Sequence, residues 1–132
     1  MLLDIFTLVS WWRTSVVLEK KIVYPSFKEG ELWWCSIGIN VGVEIFGKGP
    51  DAVRPVVIFK KINAESFLGI PLTTKPKTGV QYVRTTHGGK ERWAILTQAR
   101  VFDAKRLMKP MGTFSVRNLQ SIKDGFLALY GS

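Results

Sequence analysis

Three side chains that can act on a phosphate group fall where predicted strands begin or end. Glu44 lies in a glycine-rich loop, Arg54 heads the strand after that loop, and Thr73 ends the next strand. Strands that are consecutive in sequence are usually neighbours in space, so we expect the three side chains to converge. An arginine fork and a hydroxyl both donate hydrogen bonds to phosphate oxygens. The pattern therefore predicts a phosphate site.

Short strands separated by turn signals must position these residues. The first strand contains Trp33 and Trp34, which must point to opposite faces because side chains alternate along a strand; we expect one in the core and the other over a groove or second surface. The loop 38–51 holds four glycines and one proline, which is typical of a binding loop. Pro55 is tolerated at the start of a strand. The predicted strands are 30–37, 56–59, 66–72, 80–85 and 92–101.

Helical signals lie at both ends of the chain. Apolar residues at helical spacing predict a C-terminal helix over 115–129 behind a serine cap, and an N-terminal amphipathic helix to about Lys20. Residues 103–108 fit one helical turn capped by Asp103, and His87 is interpreted as part of a His-Gly-Gly turn. The pattern predicts a mainly β member of the α+β class, with a small, strongly bent antiparallel sheet or barrel and flanking helices.

Charge predicts an anionic partner. The 132 residues fit one domain, and the formal net charge is +9. Between Lys75 and Lys109 nine Lys or Arg stand against two acids, so this segment alone carries +7. Such a field attracts polyanions, which favours a nucleic acid or an acidic protein over a merely solvated basic surface.

The sequence argues against an internal disulfide, a histidine-rich metal centre and a membrane segment. Cys35 is the single cysteine and His87 the single histidine, so an internal disulfide and a histidine-rich metal centre are excluded. We expect no cofactor and no metal, with a carboxylate-bound magnesium left open. The apolar start MLLDIFTLVSWW lacks a basic n-region and is too short to span a bilayer, so we expect no membrane segment and a cytoplasmic location.

Four segments together resemble one protein family. They are EGELWWCSIGINVGVE (29–44), GKGPDAVRPVVIFKK (47–61), FLGIPLTTK (67–75) and AILTQARVFDAKRL (94–107). Their order and spacing are similar to the PemK/MazF toxins of bacterial toxin-antitoxin systems, especially the subgroup with a longer first loop. The resemblance divides the chain into an N-terminal helical extension, 1–28, and a toxin domain, 29–132.

The resemblance implies an SH3-like barrel of about five to seven short antiparallel strands with a C-terminal helix. It also implies a homodimer that cleaves single-stranded RNA without a metal, and an antitoxin whose acidic tail occupies the RNA groove. The family motif falls on Glu44 and on Arg54 with Pro55, and the family's strand-end threonine falls on Thr73. Residues expected to contact RNA are Lys48, Thr74, Lys75, Lys77, Gln98 and Arg100.

Cleavage through the RNA's own 2′-hydroxyl gives each residue a task. Arg54 would fork two hydrogen bonds onto phosphate oxygens that gain charge in the transition state, and Thr73 would donate its hydroxyl to another oxygen. Glu44 would accept the proton or orient Arg54. A pair of histidines as acid and base is excluded within one subunit.

Other interpretations of the same residues stay open. Arg54 and Glu44 can form a plain salt bridge that closes the loop, and Thr73 can be an ordinary strand-end residue. An inactive relative that binds RNA or an acidic peptide is the first alternative, since Ile45 and Phe46 stand where the family usually has polar residues. A gyrase poison of the CcdB kind is the second, and it rests on fold analogy alone.

Overall fold

The structure is a computed structural model that describes residues 24–37 and 53–131. The predicted N-terminal helix and the whole loop 38–51, including Glu44 and Lys48, lie outside the described residues. Within them the strands are β1 (Glu31–Ser36), β2 (Val53–Asn63), β3 (Ser66–Thr73), β4 (Tyr82–His87), β5 (Lys90–Ile95), β6 (Arg100–Asp103) and β7 (Leu107–Thr113), followed by helix α1 (Val116–Tyr130).

The seven described strands form one antiparallel sheet in the order β4-β5-β3-β2-β1-β7, with β6 paired to β3. This confirms the mainly β class with a C-terminal helix. The sheet is not closed into a barrel, however, because β4 and β7 are the two ends of the described strand order. A side-chain contact links these two strands, because Nε2 of His87 in β4 lies 3.2 Å from the carbonyl oxygen of Met111 in β7.

Strand β3 exchanges partners halfway along one edge. Residues Ser66 to Gly69 pair with β6, whereas Leu72 and Thr73 pair with β5. Pro71 lies between the two stretches and has no N–H to continue the ladder. The chain therefore leaves β5, turns through a 3₁₀ helix at Leu96–Gln98 and returns as β6, so the single strand expected over 92–101 is wrong.

Strand β7 was not predicted from the sequence. Its residues, LMKPMGT, contain Pro110 and Gly112 and lack a clear alternation. It pairs with β1 through two register shifts, and Gly112 adopts a φ of 135° that favours glycine. These irregularities hide a strand from pattern analysis.

Both faces of the central strands β1 to β3 are buried. Trp33 is 7% exposed in one core cluster, while Trp34 is 37% exposed on the opposite face, which confirms that the two tryptophans are divided between core and surface. The first cluster comprises Phe27, Trp33, Cys35, Val56, Ile58, Phe67, Phe102, Ala104 and Leu107. The second comprises Leu32, Val57, Ile70, Leu72, Ala94, Leu96, Phe114 and Ile122, the last from α1.

Local signals placed the turns and the helix well. Gly88 and Gly89 have φ of 63° and 77° and form the two-residue turn between β4 and β5, as primed hairpin turns require. Ser115 caps α1 by accepting a hydrogen bond from the Asn118 N–H at 3.1 Å. Asp103 caps the 3₁₀ helix Ala104–Arg106. No helix among the described residues is long and apolar enough to cross a membrane.

Candidate active site

The cleft opens where β2 and β3 stop pairing. At the start of β2 and the end of β3, the last residue pair is Val56 with Pro71. Arg54 precedes Val56 by two residues, and Thr73 follows Pro71 by two residues. The strands therefore separate beyond this pair, and the Arg54 and Thr73 side chains border the opening.

The cleft encloses about 280 Å³. Arg54, Thr73 and Thr74, three residues singled out in the sequence, line it together. Its other lining residues are Trp34, Pro55, Leu72, Lys90 and Arg92. The expected convergence of Arg54 and Thr73 is thus present in the structure, while the task of each residue stays a prediction.

Three cations and no carboxylate line the described part of this cleft. The cations are Arg54, Lys90 and Arg92. The acid nearest in sequence, Glu91, is engaged by Arg84 across the β4–β5 hairpin. A concave surface lined by one sign of charge focuses the field and concentrates counter-ions. The cleft is therefore suited to an anionic ligand.

The hydroxyl of Thr73 is already oriented. Its Oγ1 accepts a hydrogen bond from the Lys75 N–H at 3.2 Å. A hydroxyl has one proton to give, and this contact leaves it free to be donated to a ligand. The backbone turn after β3 thus fixes the orientation of the Thr73 hydroxyl group.

Arg92 is a candidate site residue that the sequence analysis missed. It is only 8% exposed, and its Nε has no hydrogen-bond partner among the described residues. Thr85 Oγ1 donates to the Arg92 carbonyl at 2.9 Å and fixes the backbone there. Burial lowers the pKa of the guanidinium, which still carries its charge at neutral pH.

A signal for Arg92 existed in the strand pattern. Side chains alternate along β5, and Ala94 is fully buried in the second core cluster. Arg92 precedes Ala94 by two residues and shares its face. A cation at an inward position of a strand end is unusual, because charged residues are rarely buried without a partner.

Gln98 and Arg100 line a different hollow. It encloses about 370 Å³ and is bordered also by Ile37, Pro71, Thr97, Ala99 and Phe102. The Arg100 guanidinium donates to the Ile37 carbonyl at 2.8 Å and stacks over the Phe102 ring at 4.5 Å. Arg100 is thus partly engaged in holding the segment after β1, and RNA contact by this pair stays a prediction.

The remaining predicted RNA contacts are scattered. Lys75 and Lys77 are exposed in the segment after β3, and the Lys77 ammonium lies 6.0 Å from the centre of the Tyr82 ring. Neither lysine lines the cleft. Glu44 and Lys48 lie outside the described residues, so their positions relative to Arg54 stay predictions.

Comparison with protein families identifies the class of protein. Residues 28–130 match the model of the PemK-like, MazF-like toxins of type II toxin-antitoxin systems. The match covers most of the 132 residues, and the chain belongs to this family. None of the curated proteins matches the sequence significantly.

Solved structures share the fold at low sequence identity. A mycobacterial endoribonuclease in complex with its cognate antitoxin is similar with a TM-score of 0.62 and 13% identity, over 81% of this chain and 95% of that one. MazF from Deinococcus radiodurans gives 0.61 and 18%, over 84% and 100%. The MazE-MazF complex from the same organism gives 0.59 and 17%, over 83% and 98%. At these identities the likeness concerns the fold.

Proposed function

We propose that this chain is an endoribonuclease toxin that cuts single-stranded RNA in the cleft between Arg54 and Thr73. The observation that carries the proposal is the composition of that cleft: three cations and two threonine hydroxyls, without a carboxylate among its described lining residues. Such a set neutralises the charge of a phosphodiester and supplies the donors that its transition state needs.

The proposed reaction needs no external nucleophile. The 2′-oxygen of the RNA attacks the adjacent phosphorus, the bond from phosphorus to the 5′-oxygen breaks, and the products carry a 2′,3′-cyclic phosphate and a 5′-hydroxyl. One proton passes from the 2′-hydroxyl to the general base, and a water molecule delivers one to the departing 5′-oxygen. Arg54 and Thr73 hold the oxygens of the phosphate, and neither step requires a metal ion.

Proton transfer is assigned to Glu44, with Arg54 as its neighbour in the family motif. A guanidinium holds its proton firmly and is a poor base at neutral pH, so Arg54 is proposed to stabilise charge. A carboxylate is a group that can accept a proton from the 2′-hydroxyl. Glu44 is therefore proposed as the base or as the residue that orients Arg54.

The proposed partners follow from the same surface. An antitoxin with an acidic tail would compete with RNA for the cationic cleft, as the complexed relatives suggest. A homodimer in the cytoplasm completes the proposal. Lys48, Thr74, Lys75, Lys77, Gln98 and Arg100 are the further residues proposed to guide the RNA strand.

Digestion of a long RNA in EDTA tests this function. We expect discrete fragments that carry 5′-hydroxyl and 2′,3′-cyclic phosphate ends. The same sequence with every 2′-hydroxyl methylated is the matched control and should stay whole, since its nucleophile is blocked.

Each other outcome points to an alternative. Binding of RNA without fragments would favour an inactive relative that grips RNA or an acidic peptide. Intact RNA combined with stalled supercoiling by gyrase would favour a gyrase poison. Fragments that vanish in EDTA would contradict the metal-independent route.

A further inference from the structure

We propose that the cleft holds one nucleotide of the RNA as a unit, with its base stacked on Trp34 and its phosphate gripped by Arg92 beside Lys90. This inference rests on the proposed function in taking RNA as the ligand. It assigns roles to Trp34, Arg92 and Lys90, through which the cleft would bind a base as well as a phosphate.

Trp34 provides the surface for a base. Its side chain is 37% exposed and lines the cleft. In the sheet, Trp34 pairs with Pro55 of β2 on one side and with Lys109 of β7 on the other. An exposed indole among cations is the arrangement by which proteins bind single strands, because every base has a face that stacks on an aromatic ring. Its neighbour Trp33 is buried in the first core cluster, and the Trp34 side chain points to the opposite face.

Arg92 provides the grip on the phosphate. A guanidinium that is more than nine-tenths buried, and whose Nε has no partner among the described residues, costs stability unless an anion reaches it. Its aliphatic stem lies on the face of Ala94 and Leu72, which register as partners between β5 and β3. The stem is thus held by packing, and little freedom is lost when the guanidinium binds a phosphate.

The size and position of the cleft suit one nucleotide. Its volume of about 280 Å³ lies just below the range of about 300–1,000 Å³ for small-ligand pockets, so there is room for a single nucleotide at most. Trp34 and Arg92 border the same space as Arg54 and Thr73. A base held on Trp34 therefore belongs to a nucleotide next to the bond that is cut.

Binding of two uncleavable probes tests the inference. One is a fluorescent 2′-O-methyl oligonucleotide of mixed sequence, and the other is an abasic chain with the same number of phosphates. Trp34→Ala should weaken binding of the first by about 5- to 150-fold, the range expected for one lost base stack. It should leave binding of the abasic chain close to wild type. Trp34→Phe, which keeps a ring, should retain most of the affinity for the first probe.

Arg92→Met separates a binding role from a structural one. It keeps an apolar side chain and removes the buried charge, so the unfolding temperature should rise or hold while both probes bind more weakly. The slope of log affinity against log salt should become less steep by about 0.7, the value for one lost contact to a single strand. Arg117→Gln, an exposed site on α1, is the matched control and should change neither property.

Several results would overturn the inference. These are equal weakening of both probes by Trp34→Ala, unchanged affinity in Arg92→Met, or no measurable binding of the oligonucleotide by the wild-type protein. Failure of the proposed cleavage is seen separately, because it is scored on ordinary RNA. A protein that binds as expected without cutting would keep this inference and lose the nuclease.

Discussion

Arg54 and Arg92 bring the same chemical group to one cleft from two environments. Arg54 is half-buried at the start of β2, whereas Arg92 is buried on β5. An arginine at the opening can follow the phosphate as charge develops on it, and one fixed by packing is preorganised. The two guanidiniums thus differ in burial, and in the proposed function both would face the phosphates of the RNA.

Thr73→Val should slow RNA cleavage by about 10- to 100-fold, the effect of losing one hydrogen bond to a charged group. Valine keeps the branched shape that suits a strand, so unfolding should change little. Thr73→Ser, which keeps the hydroxyl, is the matched control and should retain most of the rate. Initial rates on one RNA measure this, and equal rates for the valine and serine variants would remove Thr73 from the mechanism.

Cys35 should be inert to thiol reagents in the folded protein. Burial raises the pKa of its thiol from 9.0 to about 12, opposed by the charges of Arg106 and Arg100, so little reactive thiolate exists at neutral pH. Because the folded pKa is raised, this group contributes stability below pH 9 that is lost as pH rises towards 12. Titration with a chromogenic disulfide should give slow modification until the protein is unfolded, and rapid modification of the native state would contradict the burial.

At the scale of elements, β3 organises the molecule. It pairs with β2 along one edge and with β6 and then β5 along the other. Pro71 marks the change of partner, and the end of the β2 ladder just beyond it opens the cleft. The same short strand therefore builds the core and places Thr73 at the site.

Gly69→Ala should reduce the free energy of unfolding by about 1–3 kcal/mol, the usual cost of overpacking a core. A Cβ at this position would lie 2.7 Å from Val56 Cγ1 and 2.9 Å from Phe102 Cδ1, and both atoms belong to the first core cluster. Guanidinium unfolding measures the effect.

Gly88→Asn is the matched control for this substitution. Gly88 has a positive φ and open space around it, and asparagine is favoured in such hairpin turns. We expect a change within about 0.5 kcal/mol. An unchanged midpoint in Gly69→Ala would mean that β3 packs less tightly than described.

At the scale of the whole molecule, charge is unevenly spread. The segment from Lys75 to Lys109 carries +7 of the +9 and contributes Lys90 and Arg92 to the cleft. The excess is thus partly concentrated where the proposed ligand binds, which favours rapid capture of a polyanion.

RNA affinity should fall steeply with salt. Each phosphate contact on a single strand contributes about −0.7 to the slope of log affinity against log salt, so the three cations of the cleft alone predict a slope of about −2 or steeper. Anisotropy of the uncleavable oligonucleotide across about 50–200 mM salt measures it. A flat dependence would contradict electrostatic capture.

The sequence predicted the elements whose signals are local. The helix α1 follows from its apolar spacing and its Ser115 cap, and the hairpin turn follows from Gly88 and Gly89. Strand β7 and the break after β5 were missed, because both arise from partner exchange and irregular register, which are tertiary effects. Of the bent sheet or barrel expected from the sequence, the structure has the open sheet.

The site was predicted only where motif and topology agree. Arg54 and Thr73 were found because strand ends that follow each other in sequence lie together. Arg92 and Lys90 were counted as surface charge, since nothing in the segment itself shows that β5 lies beside the end of β3. Gln98 and Arg100 were expected to contact RNA, and they line a hollow other than the cleft.

The most direct test of the central claim compares Arg54→Gln with Arg117→Gln in the rate of RNA cleavage at equal protein concentration. Both variants lose one positive charge, but only Arg54 lines the cleft. We expect Arg54→Gln to cut about 100- to 1000-fold more slowly, as for one lost donor to a developing charge, while Arg117→Gln cuts like the wild type. Wild-type rates in both variants, with the same fragments, would show that the cleft between Arg54 and Thr73 is not where RNA is cut.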